Sequence, residues 1–347
     1  MFTELRWALL LALAATPAFG HHSIGATFDT NTVIEVEGVV TDVLWRNPHV
    51  HFTLGVTSNA GQTESWDAEL TSLSNLRRLG ISPDFIKVGD SIRIAGSLAR
   101  RVPNSVYVNN ILRPDGKEVL LAARVTPRWS TETIAVSDRA LSTEGDGSRP
   151  DLGLFRVWST PMRTPMLFPE NYNSNFDIDS YPLTQSARAS VASFDPIADS
   201  PTANCAPKGM PTIMEQPYPM QIVSAGGNIE LRLEEYDTVR VVYLDAFNAP
   251  ATATTPRLGI STGVLDGNTL TMTTSGSTWP HYDVVGIPQS PAAMHVEVFT
   301  VSDDGSRLDY SITTTDPANF NEPVTLTKYW IWVPGVEVVP FECDESR

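Results

Sequence analysis

The chain is poor in cysteine, in basic residues and in long apolar runs, and each shortage excludes something. Two cysteines in 347 residues rule out a disulfide-dense scaffold and a Cys-rich zinc fold. With 24 Lys and Arg against 40 Asp and Glu, the formal net charge is −16. Nucleic acid is therefore not an expected partner, because phosphate binding needs clustered cations, and an anionic membrane surface is disfavoured on the same ground. The longest greasy stretch, "WALLLALAA" at 7–15, falls well short of the roughly 18–20 residues of a membrane span. No phosphate loop or dinucleotide fingerprint occurs.

What is present at the start reads as a secretory signal peptide over residues 1–20. Arg6 supplies the positive end, the apolar run follows, and Ala18-Phe19-Gly20 supplies small residues for cleavage. The expectation is an exported protein, periplasmic or secreted. Export also places Cys205 and Cys343 in an oxidising compartment, where they can pair; two separate thiols is the alternative. The bond would close a loop of well over a hundred residues, worth roughly 5 kcal/mol on the chain-entropy account.

Residues 21–121 alternate apolar and polar positions between regular turn signals. "VIEVEGVVTDVLW" (33–45) reads as a long strand bent at a bulge near Gly38. "NPH" is a turn, since Pro48 pushes Asn47 out of helical space. "VHFTLGV" and "TESWDAEL" follow as strands, then a short helical window, "TSLSNLRRLG", with Ser72 placed to cap it and Gly80 to end it. "SIRIAGSL" and "SVYVNNIL" are two more strands, and Asp115-Gly116 turns the chain into "KEVLL". Three strands, a helix and two strands is the order of an OB-like Greek-key barrel. A small open sandwich is the other candidate.

These residues also carry a resemblance. The "HHS" start followed by "FD", then "EGVV", "W-x-NPH", a tryptophan in the third strand, "L-x-x-LG", "VGD" and a closing "PDG" resemble the exported bacterial domain-of-unknown-function family 6152, over about residues 21–120. The resemblance implies an exported β-domain and brings no reaction with it. His21, His22 and His49 fall on motif positions of that family, whereas position 51 is commonly aromatic there.

Residues 122–150 are polar and read as a linker, and 151–220 form a Pro-rich wrapping segment with one short helix around "LTQSARASVASF". From 221 to 347 strands follow one another, with "AGG", "LDGN" and "DDGS" turns between several of them. That pattern predicts a lipocalin-like antiparallel β-barrel or sandwich, so the whole chain is expected to be all-β. Tyr329 falls on one face of the last strand and Trp330 and Trp332 on the other; such a row lines a cavity or simply fills the barrel. "C-x-P-x-GMP", "PYP", the "DG" hairpin and "TTDPANF-x-x-P" resemble an uncharacterised β-domain of exported bacterial proteins.

The candidate metal ligands are His21, His22, His49 and His51. Cleavage after Gly20 gives His21 an α-amine beside its imidazole, a bidentate nitrogen grip that suits copper best among divalent ions. A straight strand over 33–45 would be about 40 Å long, and the tail from 22 to 32 spans at most about 36–40 Å, so the tail must double back to meet His49. The alternative is a solvated histidine pair and a turn-capping His49. Trp45, Asn47 and Trp66 are candidate ligand-binding residues around the "NPH" turn. "GISTG" (259–263) matches the nucleophile elbow, but a hairpin follows it where the elbow needs a helix, so Ser261 is read as strand. Glu234, Glu235 and Asp237 are read as a solvated turn, because neighbours on a strand point to opposite faces. His281 and His295 are read as structural, and no catalytic residue is assigned.

The reading is an exported binding or accessory protein, with copper at the mature N-terminus as its sharpest form. Two alternatives stay open. One is a structural protein that docks another envelope protein in place of a metal or small ligand; the other is a redox metalloenzyme with a histidine brace.

Overall fold

The computed structural model describes residues 24–121, 125–134, 143–161, 178–202 and 205–343. The described chain starts with a single helical turn, α1 (Ile24–Thr27), that runs directly into β1 (Phe28–Leu44). β2 (His51–Thr57), β3 (Thr63–Glu69), α2 (Leu73–Arg78), β4 (Ser91–Ala99) and β5 (Ser105–Leu112) follow. The sheet order is β3-β2-β1-β4-β5, and a parallel pairing of β3 with β5 closes it into a barrel. This is the expected OB-like barrel. Ser72 caps α2 by accepting from the Asn75 N–H at 3.2 Å, and Gly80 ends it with a positive φ of 73°.

Two details of β1 differ from the sequence expectation. The strand begins at Phe28 rather than Val33, because Phe28 pairs with Ala99 of β4 even though "DTNT" is polar. The break in the β1–β2 ladder lies between Val40 and Asp42, not at Gly38. Gly38 has another task. A Cβ there would sit 2.8 Å from the Gly55 carbonyl oxygen, so the residue permits close approach of β2.

After β5 the chain adds β6 (Glu118–Leu120) and β7 (Thr133–Ile134). The buried Glu118 carboxylate accepts the backbone N–H groups of Arg128, Trp129 and Ser130 and the Asn110 side-chain amide, tying the following segment to the barrel.

The second domain is a nine-stranded sheet among the described residues. It comprises β8 (Val157–Trp158), β9 (Met220–Ala225), β10 (Asn228–Leu233), β11 (Thr238–Tyr243), β12 (Ile260–Asp266), β13 (Thr269–Ser275), β14 (Met294–Val301), β15 (Arg307–Thr315) and β16 (Val324–Ile331). Neighbours in sequence are neighbours in the sheet, and reciprocal 2.9 Å hydrogen bonds between Ser159 and Ile331 bring its two ends together. The expected antiparallel order has one departure among the described residues. β11 and β12 pair in parallel, at Val242 with Ser261 and Tyr243 with Thr262, because the chain from 244 to 259 crosses back before re-entering the sheet. The helix expected near residue 185 is α3 (Gln185–Ser193), capped by Thr184.

Cys205 and Cys343 are joined in a disulfide. Much of the contact between the two domains gathers near it. Arg78 at the end of α2 pairs with Glu234 at 2.8 Å and lies over the Tyr218 ring, and Arg77 pairs with Glu342. The expected solvated turn at Glu234–Asp237 is therefore corrected. Glu234 and Glu235 are fully buried, Glu235 paired with Lys208 at 2.9 Å, and only Asp237 of the three is exposed. The alternation rule fails because the chain has already left β10. Glu235–Asp237 is a 3-10 turn, with Tyr236 at φ 54°, and it turns both carboxylates toward cations.

Replacing Arg78 by Met strands the Glu234 charge inside the protein. Urea unfolding should show a loss of about 3 kcal/mol, most of it recovered in the Arg78→Met, Glu234→Gln double variant.

Candidate functional site

β2 and β3 place His51 directly opposite Glu69. Alternation then puts His51, Asp67 and Glu69 on one face, opposite the one that sends Phe52, Leu54 and Ala68 into the core. His49, just before β2, joins this polar group. Its Nδ1 donates to the Leu70 carbonyl at 3.0 Å and lies 2.9 Å from a Glu69 carboxylate oxygen. The Nδ1 of His51 lies 3.1 Å from the Asp67 carboxylate, which also accepts from the Ser105 hydroxyl at 3.4 Å. A carbonyl can only accept, so Leu70 fixes the proton of a neutral His49 on Nδ1 and leaves the lone pair on Nε2. The carboxylate does the same for His51.

Although they face away from the core, both rings are buried. Tyr107 stands edge-on to His49, with centroids 6.5 Å apart, and the Phe28 ring lies 5.5 Å from Tyr107. Burial and the nearby Glu69 carboxylate raise the Tyr107 pKa, so the phenol stays protonated. Among the described residues, no three His, Cys, Asp or Glu side chains converge as a metal site. His21 and His22 lie outside the described residues.

Of the three ligand-binding candidates, Asn47 is engaged by the second domain, and Trp45 and Trp66 by the core of the first. Asn47 is fully buried; its side-chain amide donates to the Phe341 carbonyl and, at 3.4 Å, to Ser74. Trp45 is half-buried and packs against Phe85, with centroids 5.6 Å apart. Trp66 is half-buried opposite Leu54 and packs on the first core. Asp67 and Glu69 were not singled out from sequence. The signal was available in "SWDAEL", where the acids alternate with Trp66, Ala68 and Leu70, but the register that brings them to the histidines was not.

The second barrel holds a charged centre that the sequence reading missed entirely. Arg240 on β11 pairs with both oxygens of Glu297 on β14, at 2.7 and 2.9 Å. Ser261 and Thr274 accept from Arg240 at 3.2 Å, and the Tyr310 hydroxyl donates to Glu297 at 2.8 Å. Ser261 is thus a buried strand residue bonded into this network. Burial disfavours the Glu297 charge, but Arg240 outweighs it and holds the carboxyl below its usual range. His295, two residues away on the same inward face, is fully buried, with Nδ1 2.9 Å from the Thr314 hydroxyl. Burial pushes its pKa down to about 4, against the opposing pull of Glu297. Near it the aromatic row is packed. Trp330 stacks on Phe299 at 6.0 Å and meets Tyr310 at 5.4 Å, while Trp332 lies under Arg156. Below, Lys328 donates to the Met214 and Gln216 carbonyls, and burial lowers its pKa to about 7.

Residues 9–104 match the family of unknown function DUF6152. The DUF6152 region thus includes His21, His22, His49, His51, Asp67 and Glu69 and ends just before β5. No curated protein matches the chain. Among solved structures, the mitochondrial single-stranded DNA binding protein Rim1 of S. cerevisiae is 11% identical, with a TM-score of 0.19, and the match covers 24% of this chain and 94% of that one. The N-terminal domain of PriB from Thermoanaerobacter tencongensis is 18% identical, also with a TM-score of 0.19, covering 24% of this chain and 96% of that one.

His295 gives a pH test of the barrel interior. Its folded pKa of about 4 lies below the unfolded value near 6.5, so between these pH values the unfolded chain binds the proton more strongly. The stability tied to a neutral His295 is full above pH 6.5 and is lost as pH falls through 4. Between pH 7 and pH 4, urea midpoints should show wild type losing on the order of 3 kcal/mol more than His295→Asn.

Proposed function

We propose that this is an exported, periplasmic binding protein whose DUF6152 region takes up a transition ion, copper by preference, using His21, His22 and the Nε2 atoms of His49 and His51. The observation that carries the reading is where β1 begins. Phe28 touches Tyr107, and Tyr107 touches His49, so two ring contacts bound the distance from Phe28 to His49. Five residues lie between His22 and Phe28, and because four of them form the helical turn α1 the tether reaches about 15 Å. The tail has no need to double back along a strand, because β1 starts five residues earlier than the sequence pattern suggested and runs beside this face.

The carboxylate partners support the same reading. Imidazoles that bind metals through one nitrogen commonly donate the other N–H to a carboxylate or carbonyl, which fixes tautomer and ring orientation. The Leu70 carbonyl does this for His49, with the Glu69 carboxylate 2.9 Å from the same nitrogen, and Asp67 does it for His51. Nitrogen-rich sites of this kind rank copper highest among the divalent first-row ions. Because His49 and His51 sit on the wall of a closed barrel, the reading favours holding the ion over transforming a substrate.

Calorimetric Cu(II) titration of protein beginning at His21 tests the proposal. Tight one-to-one uptake is expected. A one-residue N-terminal extension or His49→Ala should weaken it at least a hundredfold, and Glu69→Gln about tenfold through loss of ring orientation. Equal affinity in all four proteins, or none in any, would overturn the reading.

A further inference from the structure

The chain after β16 forms a strap that crosses from the second domain to the first, and it ends on the loop that carries His49. Val339 donates its N–H to Glu234, and Phe341 donates its N–H to Asp237. The Phe341 ring is buried between Tyr218 and Tyr236, with centroids 5.4 and 4.9 Å away. Beyond that anchor the strap meets the first domain. The Phe341 carbonyl accepts from the Asn47 amide, Glu342 pairs with Arg77, and Cys343 forms a backbone bridge with Asn47. The last of these contacts is secured covalently by the bond from Cys343 to Cys205.

We infer that the Cys205–Cys343 disulfide is a redox latch that holds the Asn47–Val50 loop, and through it His49, in the binding geometry. The inference rests on the proposed function for its link to the metal. Its mechanical part stands without it. Both cysteines are half-buried, so a thiolate can reach the bond. A small dithiol reductant attacks one sulfur and forms a mixed disulfide, and its second thiol then displaces the protein sulfur. The dithiol leaves as a disulfide, and its two electrons and two protons end on Cys205 and Cys343 as thiols.

The consequence follows from hydrogen bonding. Of the described residues past Phe341, Glu342 holds the first domain by its pair with Arg77 and Cys343 by its bridge to Asn47, and with the disulfide open such polar contacts permit local opening. When the strap opens, the Phe341–Glu342 peptide turns about the anchored ring, and one N–H of the fully buried Asn47 amide loses that carbonyl while the other keeps Ser74. A buried donor without a partner is costly, so the loop relaxes until water reaches it. His49 lies two residues further on. The other side of the loop is held by the β2–β3 sheet, through the Leu70 N–H to the Val50 carbonyl at 2.8 Å, so the rest of the barrel keeps its form.

Hydrogen exchange on the full chain, oxidised or treated with dithiothreitol, tests the latch without metal. Amides of Asn47 and His49 should exchange at least tenfold faster after reduction, with those of β15 unchanged. No change at these two positions overturns the inference, and so does a uniform loss of protection, which would make the bond a staple of the whole fold. Cu(II) titration of the Cys205→Ala, Cys343→Ala variant tests the link to the site, with affinity expected to fall about tenfold. Faster exchange with unaltered affinity overturns the coupling. Should wild type itself bind no copper, the proposed function fails while the exchange result still decides the latch.

Discussion

Pairing of buried charge is the constraint on which the arrangement of this protein depends. A carboxylate taken out of water is tolerated only with donors around it, backbone N–H groups at Glu118 and cations elsewhere. Three are met by a cation: Glu234 by Arg78, Glu235 by Lys208 and Glu297 by Arg240. Each pair joins elements distant in sequence. Arg78 lies 156 positions from its partner and sits in the other domain. Stabilisation is a poor description of such pairs, since apolar residues of equal volume often do as well. Their effect is better described as exclusion. Any other docking of the two domains would leave Glu234 buried and unpaired, so the ion pair selects one orientation and the disulfide retains it.

That orientation gives the "NPH" corner two sides with different work. Asn47 turns to the strap and is consumed by the contact between domains. His49, two residues on, turns to Glu69 and Leu70. A single turn therefore couples the junction of the domains to the polar face of the first barrel. The second domain contributes by being rigid. Its interior is packed with Trp158, Trp330, Phe299 and Tyr310 around the Arg240–Glu297 pair, so it holds the strap in place.

Much of the fold was legible because alternation and turn chemistry agree along the chain. "TESWDAEL", "SIRIAGSL" and the later strands alternate with period two, and Ser72 and Gly80 mark both ends of α2. What failed were statements that needed three-dimensional context. The polar "DTNT" hid the early part of β1, which is ordered by β4 and not by its own apolar content. The parallel β11–β12 step depends on where a long excursion lands. Glu234 and Glu235 were misread because strand alternation was applied beyond the end of a strand. Arg240 and Glu297 sat at inward positions of clear alternating patterns, and the expectation that charges face water outweighed that period. For the candidate site, the histidines were legible as residue types, whereas Asp67 and Glu69 became partners only through register.

The acidic excess acquires a meaning once the histidine face is located. In the proposed site the Asp67 carboxylate is bonded to the His51 ring, so its charge would orient a ligand atom and not meet the ion directly. The rest of the net charge of −16 lies elsewhere on the molecule and acts at a distance, raising the local concentration of cations without choosing among them. In the proposed site, selection would be left to the donor atoms. Imidazole nitrogens held in one tautomer, by a carbonyl for His49 and a carboxylate for His51, would discriminate strongly against the hard ions calcium and magnesium, which require oxygen. Long-range attraction and short-range choice are in this way assigned to different carboxylates.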